Sequence, residues 1–334
     1  MNGTSIGLQI LGSGEFAPRR TVDSEVIDRR LGRPSGWTSH HTGVTSRALA
    51  DHGEDVLTMG VAAARQALAT AGIAPNELDA VIAVGSVPIQ AIPCTAVFLQ
   101  RALGLVEQGV PAFDINATCL GFVVALDLIA QSIATGRFRR VLIVASELAS
   151  AGVNPDDPNT AGLFGDGAGA VVVGPSKRQN SRLLATELQT YPEGAEYCQV
   201  RAGGSRLHPR HDLQAFLAGT YFEMEGKATY RLAAERFPGF VDSLFRRAGV
   251  QSQDIDVWIP HQASGKAIAH LADTLAVPRE RMILTLPTHG NQISASIPVA
   301  LHVGIREGRI VPGCLVALLG SGAGLSFGGA VLRY

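Results

Sequence analysis

The feature that most restricts the fold of this 334-residue chain is that much of its sequence is written twice. Residues 61–86, VAAARQALATAGIAPNELDAVIAVGS, and residues 238–263, PGFVDSLFRRAGVQSQDIDVWIPHQA, share one pattern. Each reads as an amphipathic helix closed by Ala-Gly and a β-branched residue, a polar turn, then an apolar strand. A shift of 177 superposes Ala71, Gly72 and Asp79 on Ala248, Gly249 and Asp256, and the strand 81–84 on 258–261. A second block, ALDLIAQSIATGRFRRVLIVAS at 125–146, matches ALHVGIREGRIVPGCLVALLGS at 300–321 with shifts of 172 to 175. A third pairs GAVVVG at 169–174 with GAVLRY at 329–334. Three blocks in one order outweigh chance similarity between Ala/Gly-rich segments. Helices alternating with continuous apolar strands predict an α/β protein of two stacked, related halves, 1–176 and 177–334, each with its own sheet. Under a pseudo-twofold axis equivalent loops meet, and the alignment sets Cys119 opposite Asn291 at one cleft.

Composition narrows the function classes. Hydrophobic residues make up 46% and charged residues 17% of the chain, so many segments are expected to be buried on both sides. A net charge of −1 without a Lys/Arg run argues against nucleic acid and anionic membrane partners. Cysteines 94, 119, 198 and 314 have no CxxC spacing and are too sparse for a disulfide framework, which fits a reducing cytoplasm. The start, MNGTSIGLQILGSG, has no basic segment followed by an apolar stretch, and no later segment runs 18 residues without polar interruption. The nine histidines include no HExxH or CxxC context, so no metal is expected.

Three residues carry the chemistry. Cys119, in PAFDINATCLGFVVALDLIAQSI, stands where an apolar strand gives way to a strongly hydrophobic helix. A helix N-terminus favours a thiolate, although a lone cysteine is more often a small buried hydrophobe. His261 ends the strand of DVWIPHQAS, with Ser264 as cap of the next helix. A strand's carboxyl end faces the crevice where α/β sheets bind ligands. Asn291, in LTLPTHGNQISASIPVALHVG, again lies between strand and helix. Together the trio suits acyl chemistry: the thiol exchanges with a thioester, and two neutral donors, an imidazole N–H and an amide, hold an enolate oxygen. The glycine-rich loop LLGSGAGLSFGGA offers backbone N–H groups from Gly322 and Ala323 to the acyl oxygen. Neither this loop nor LFGDGAGAVVVG has phosphate-loop spacing.

These motifs, with WTSHHTGVTSR, MEGKATYR and the closing GSGAGLSFGGAVLRY, span the chain and resemble β-ketoacyl-acyl-carrier-protein synthase III of the thiolase superfamily. The resemblance implies a five-layered αβαβα fold, a homodimer, and Cys119, His261 and Asn291 as catalytic triad. It implies that acyl-CoA loads Cys119 and that a malonyl thioester, on CoA or acyl carrier protein, is decarboxylated for Claisen condensation. CoA thioesters are then substrates, and no cofactor is needed. The pathway implied is fatty acid initiation or a specialised one, such as alkylquinolone, polyketide or biotin-precursor synthesis. The alternatives on the same fold are an acyltransferase to an oxygen or nitrogen nucleophile, and an inactive partner subunit.

By the same resemblance Trp37, Ile92, Ser264 and Lys266 contact substrate or CoA. His41 stands where relatives usually carry Arg, Ser264 where Asn is common, and Lys266 where Arg is common. Asp273 and Thr274 replace a basic pair, predicting carrier-protein docking that is weaker or uses another surface. Ile92 replaces the Phe of acetyl-specific members, predicting a longer or branched acyl chain. The loop bearing Arg201, Arg206 and Arg210 reads as a solvated flap, with recognition of a carboxylated acyl group as the alternative.

Overall fold

The computed structural model describes residues 5–177 and 181–334; the first four residues of the N-terminal stretch lie outside them. The first half runs β1 (Leu8–Phe16), α1 (Val56–Ala71), β2 (Ala80–Val84), α2 (Thr95–Ala102), β3 (Ala112–Ile115), α3 (Gly121–Ala134), β4 (Val141–Glu147) and β5 (Gly167–Pro175). The second runs β6 (Arg182–Thr190), α4 (Gly226–Ala248), β7 (Val257–Pro260), α5 (Gly265–Thr274), α6 (Ser296–Arg306), β8 (Leu315–Gly322) and β9 (Ser326–Arg333).

The sheets repeat each other. Sheet one has the order β1-β5-β4-β2-β3, and sheet two β6-β9-β8-β7. A parallel bridge from Trp258 to Met282 stands where β3 lies in the first sheet. Parallel pairing of Ala80 with Val141 is echoed by Val257 with Val316. The polar turns repeat too. Asp79 accepts the Arg140 N–H at 2.9 Å and donates its own N–H to the Arg140 carbonyl, while Asp256 does the same with Leu315. Gly72 and Gly249 close α1 and α4 at φ +65° and +68°, the left-handed conformation that glycine adopts most readily.

Five layers follow from where the apolar faces go. Helices α3 and α6 form the middle layer, and positions 296–304 of α6 are buried without a break. Phe122, Leu126 and Ile129 of α3 join Ile297, Val299 and Leu301 between Ile82 and Ile143 of one sheet and Ile259 and Leu318 of the other. A helix apolar all round is stable only inside such a sandwich. Outside sheet one, α1 and α2 bring Met59, Ala63, Ala67 and Leu99 against Val81, Leu142 and Val144. Outside sheet two, α4 and α5 bring Phe240, Leu244 and Ile268 against Trp258, Leu319 and Phe327. β4 is buried on both faces along its whole length, which explains its unbroken apolar run.

Candidate active site

Both halves enter their central helix through the same turn. Asn116 Oδ1 accepts the N–H of Thr118 at 3.1 Å, and Asn291 Oδ1 accepts the N–H of Ile293 at 2.9 Å. Thr118 and Ile293 sit at φ +49° and +48°, an uncommon conformation for β-branched residues. Each opens a single 3-10 turn, Thr118–Leu120 and Ile293–Ala295, that leads into α3 and α6. Asn291 is therefore the counterpart of Asn116, and Cys119 that of Ser294. The expected pairing of Cys119 with Asn291 is wrong by three residues. The cause is helix length: α3 has 14 residues and α6 has 11, so the shift is 175 before the helix and 172 at the Gly-Arg pair after it.

Shared neighbours still link the trio. His261 leaves β7 with its N–H donated to the Leu319 carbonyl of β8 at 2.7 Å. A Cβ built on Gly320 would lie 3.0 Å from His261 Cβ and 3.0 Å from Leu120 Cδ2, so this strand passes between the histidine and the cysteine turn with no room to spare. One built on Gly322 would lie 2.8 Å from Thr118 Oγ1, which puts the expected oxyanion loop against the same turn. Asn291 donates Nδ2–H to the Ala263 carbonyl at 3.3 Å, two residues past His261. Its main chain is held by Leu163 and Gly165, at 2.9 and 3.2 Å. Gly165 must be glycine, because a Cβ there would fall 1.9 Å from the His289 carbonyl oxygen.

Burial opposes charge on both His261 and Cys119. His261 is 5% exposed, its Nδ1 has no hydrogen-bond partner among the described residues, and burial lowers its pKa to about 4. Cys119 keeps partial access, yet the protein around its sulfur pushes the thiol up to about 12, with the Glu147 charge adding to the effect. Burial and the Glu147 charge therefore act against the thiolate that the helix end would favour.

Glu147 escaped the sequence reading. It ends β4 fully buried and accepts Ser294 Oγ–H at 2.6 Å and the N–H groups of Ser86 and Val87 at 2.8 and 3.3 Å. Burial pushes its carboxyl up to about 7. An acid closing an otherwise apolar strand, VLIVASE, was the available signal. Gln262 was also missed as a strut. Its amide bonds the Pro260 and Ile283 carbonyls and the N–H groups of Thr285 and Leu286, fixing the turn after His261.

The expected substrate contacts separate into two places. Trp37 opens the short helix Trp37–Thr42, stacks on His41 at 4.7 Å and carries the Arg33 guanidinium 4.9 Å from its ring centre. Burial, then the Lys266 charge, lowers the His41 pKa, so Trp37, His41 and Lys266 share one rim. Gly43 and Gly265 touch there, which brings the two helices together. Ser264 caps α5 by accepting the Ala267 N–H at 3.2 Å. Ile92 lies apart, 83% exposed. In the arginine loop, Arg201 forms a two-pronged pair with Glu223 and Arg206 lies 3.8 Å from Glu196, which suits the surface flap. A cavity of about 320 Å³ lies away from the cysteine between β1, β6, the end of α6 and the last strand.

Known proteins share this architecture. Residues 113–192 match the family 3-Oxoacyl-[acyl-carrier-protein (ACP)] synthase III, and residues 245–334 match its C-terminal part. The β-ketoacyl-[acyl-carrier-protein] synthase III of Aquifex aeolicus is 34% identical over 98% of this chain and 100% of its own. Its crystal structure superposes with a TM-score of 0.89. An acetoacetyl CoA synthase from a Streptomyces species is 34% identical over 99% of this chain and 100% of its own. The priming β-ketosynthase of the R1128 polyketide pathway is 30% identical, covers 99% of this chain and 97% of its own, and has a TM-score of 0.89. A duplicated five-layered fold, a cysteine turn and a histidine that both approach Gly320, and full-length identity of about one third together make the chain a member of the β-ketoacyl-acyl-carrier-protein synthase III family of condensing enzymes.

Proposed function

We propose that the chain uses Cys119, His261 and Asn291 to join an acyl group from acyl-CoA to a malonyl thioester. In the loading step Cys119 sulfur attacks the acyl carbonyl, the bond to the CoA sulfur breaks, and the thiol proton leaves with CoA. Burial pushes the thiol up, which favours moving that proton as attack occurs rather than beforehand. The N–H groups of Cys119 and Ala323 would hold the oxyanion, with Gly322 leaving room for the turn. The malonyl thioester then loses carbon dioxide. Electrons of the broken carbon-carbon bond become an enolate, whose oxygen takes hydrogen bonds from neutral His261 and Asn291. The enolate carbon attacks the Cys119 thioester, and the sulfur leaves and regains a proton.

The observation that carries this reading is the pair of neutral donors: a buried imidazole and an amide whose oxygen is already bound by Ile293 N–H, leaving its nitrogen as donor. Simple acyl transfer to oxygen or nitrogen has no need of them. The test is to load the enzyme with a panel of acyl-CoAs, read the adduct by intact mass, then add malonyl-CoA or malonyl carrier protein and measure carbon dioxide. Adduct with product supports condensation; adduct without decarboxylation supports the acyltransferase.

The same reading assigns Trp37 and Lys266 to CoA and divides the halves at 176/177. A homodimer is supported by the edge strand β3, where Phe113 is exposed, and by the exposed apolar side chains of Ile92 and Val97. Ile92 would reach a neighbouring subunit's acyl pocket. Among the described residues no helix is long and apolar enough to cross a membrane, and a cytoplasmic location is proposed. CoA thioesters act as substrates and no cofactor is required by these steps.

A further inference from the structure

We propose that Glu147 and Ser294 are positioning residues for the decarboxylating step, holding the turn that presents Asn291 and tying it to the loop that carries Ile92. The proposal rests on the reading of Asn291 as an enolate donor. Between Asn291 and Ser294 stands Ile293 at φ +48°, a conformation that persists only when its surroundings hold it. One side is held by Asn291 itself, through Oδ1 and the Ile293 N–H. On the other side Ser294, fully buried, donates Oγ–H to Glu147 at 2.6 Å.

The duplicated turn shows why this bond is needed. In the first half the residue after the strained position is Cys119, which must stay free to react. In the second half the same position has no reaction to perform, and its hydroxyl reaches across to the other sheet. Glu147 accepts the Ser86 and Val87 N–H groups as well, so one carboxyl fixes both the asparagine turn and the start of the segment leading to Ile92.

An apolar residue would be the easier choice for packing alone, but it would leave the Ser294 hydroxyl and the Ser86 and Val87 N–H groups without this acceptor. A buried carboxyl without a cation is expensive, and its charge opposes formation of the Cys119 thiolate. Its position at the junction of two functional segments gives the reason to retain it.

The test separates positioning from general damage by normalising to acylated sites. Wild type, Ser294→Ala, Glu147→Gln and Asn291→Ala are acylated with one acyl-CoA, and the burst amplitude counts competent active sites. Decarboxylation of malonyl-CoA or malonyl carrier protein is then measured per site. Ser294→Ala is expected to acylate within about threefold of wild type but to decarboxylate about tenfold or more slowly, in kcat rather than KM, since small misplacements of a catalytic group have effects of that order. Glu147→Gln, whose side-chain oxygen can still accept from Ser294, is expected to stay within about threefold, by the same reasoning. The proposal is overturned if Ser294→Ala decarboxylates normally per site, if both its rates fall in equal proportion, or if Glu147→Gln is as impaired as Ser294→Ala. Normal decarboxylation by Asn291→Ala would instead strike the underlying functional reading, and the positioning role with it.

Discussion

The neutral His261 makes a quantitative prediction. Its imidazole is 5% exposed and has no charged partner favouring protonation among the described residues, and burial lowers its pKa from 6.5 to about 4. That difference corresponds to about 3 kcal/mol against charging the ring inside the fold. The sign follows from linkage: below pH 6.5 the unfolded chain takes up a proton that the folded chain refuses, so stability falls as pH drops towards 4. Glu147 runs the other way. Its raised carboxyl contributes stability that is full below pH 4.5 and is lost as pH rises through about 7. Comparing wild type with His261→Ala by urea unfolding between pH 4 and 7 isolates the histidine. The variant should lose about 3 kcal/mol of acid dependence, whatever the packing change does to its absolute stability. In parallel, NMR of labelled histidines should show that the resonance missing in His261→Ala is one that does not titrate above pH 5. A midpoint near 6.5 for that resonance would refute the buried, neutral imidazole and with it the neutral-donor mechanism.

Three further outcomes are expected. Alkylation of Cys119 in the free enzyme should be slow at pH 7 and still rising beyond pH 9, because its thiol is pushed up to about 12; a plateau below pH 8 would contradict this. Gly165→Ala should destabilise the protein by about 3 kcal/mol in chemical denaturation, since the new methyl must displace the His289 carbonyl. On the proposed homodimer, wild type should sediment as a dimer and Phe113→Lys, on the exposed edge strand, as a folded monomer; a wild type that sediments as a monomer would refute the dimer itself.

Much of this was legible because duplication appears in sequence as matched punctuation. Ala71-Gly72 and Ala248-Gly249 are visible as helix ends since only a left-handed cap suits that place, and Asp79 and Asp256 repeat because each bridges the same pair of strands. What misled was a shortened helix. A three-residue difference between α3 and α6 is invisible when blocks on either side align well, and it moved the partner of Cys119 from Ser294 to Asn291. The burial that opposes the thiolate was illegible for another reason. A helix N-terminus can be read from a local pattern, whereas burial is set by the second half of the chain, which packs β8 against the cysteine turn. Glu147 was hidden for the same cause: its hydrogen-bond partners are 60, 61 and 147 residues away.

The bonds that cross between the halves give activity a second meaning. Asn291 is pinned by Leu163 and Gly165, Gln292 donates to the Asp166 carbonyl, and Ser294 reaches Glu147, so the donor turn is shaped by the opposite half. On the proposed reading the first half supplies the cysteine, while the enolate donors lie in the second half and owe their shape to contacts with the first, so neither half alone holds the whole site.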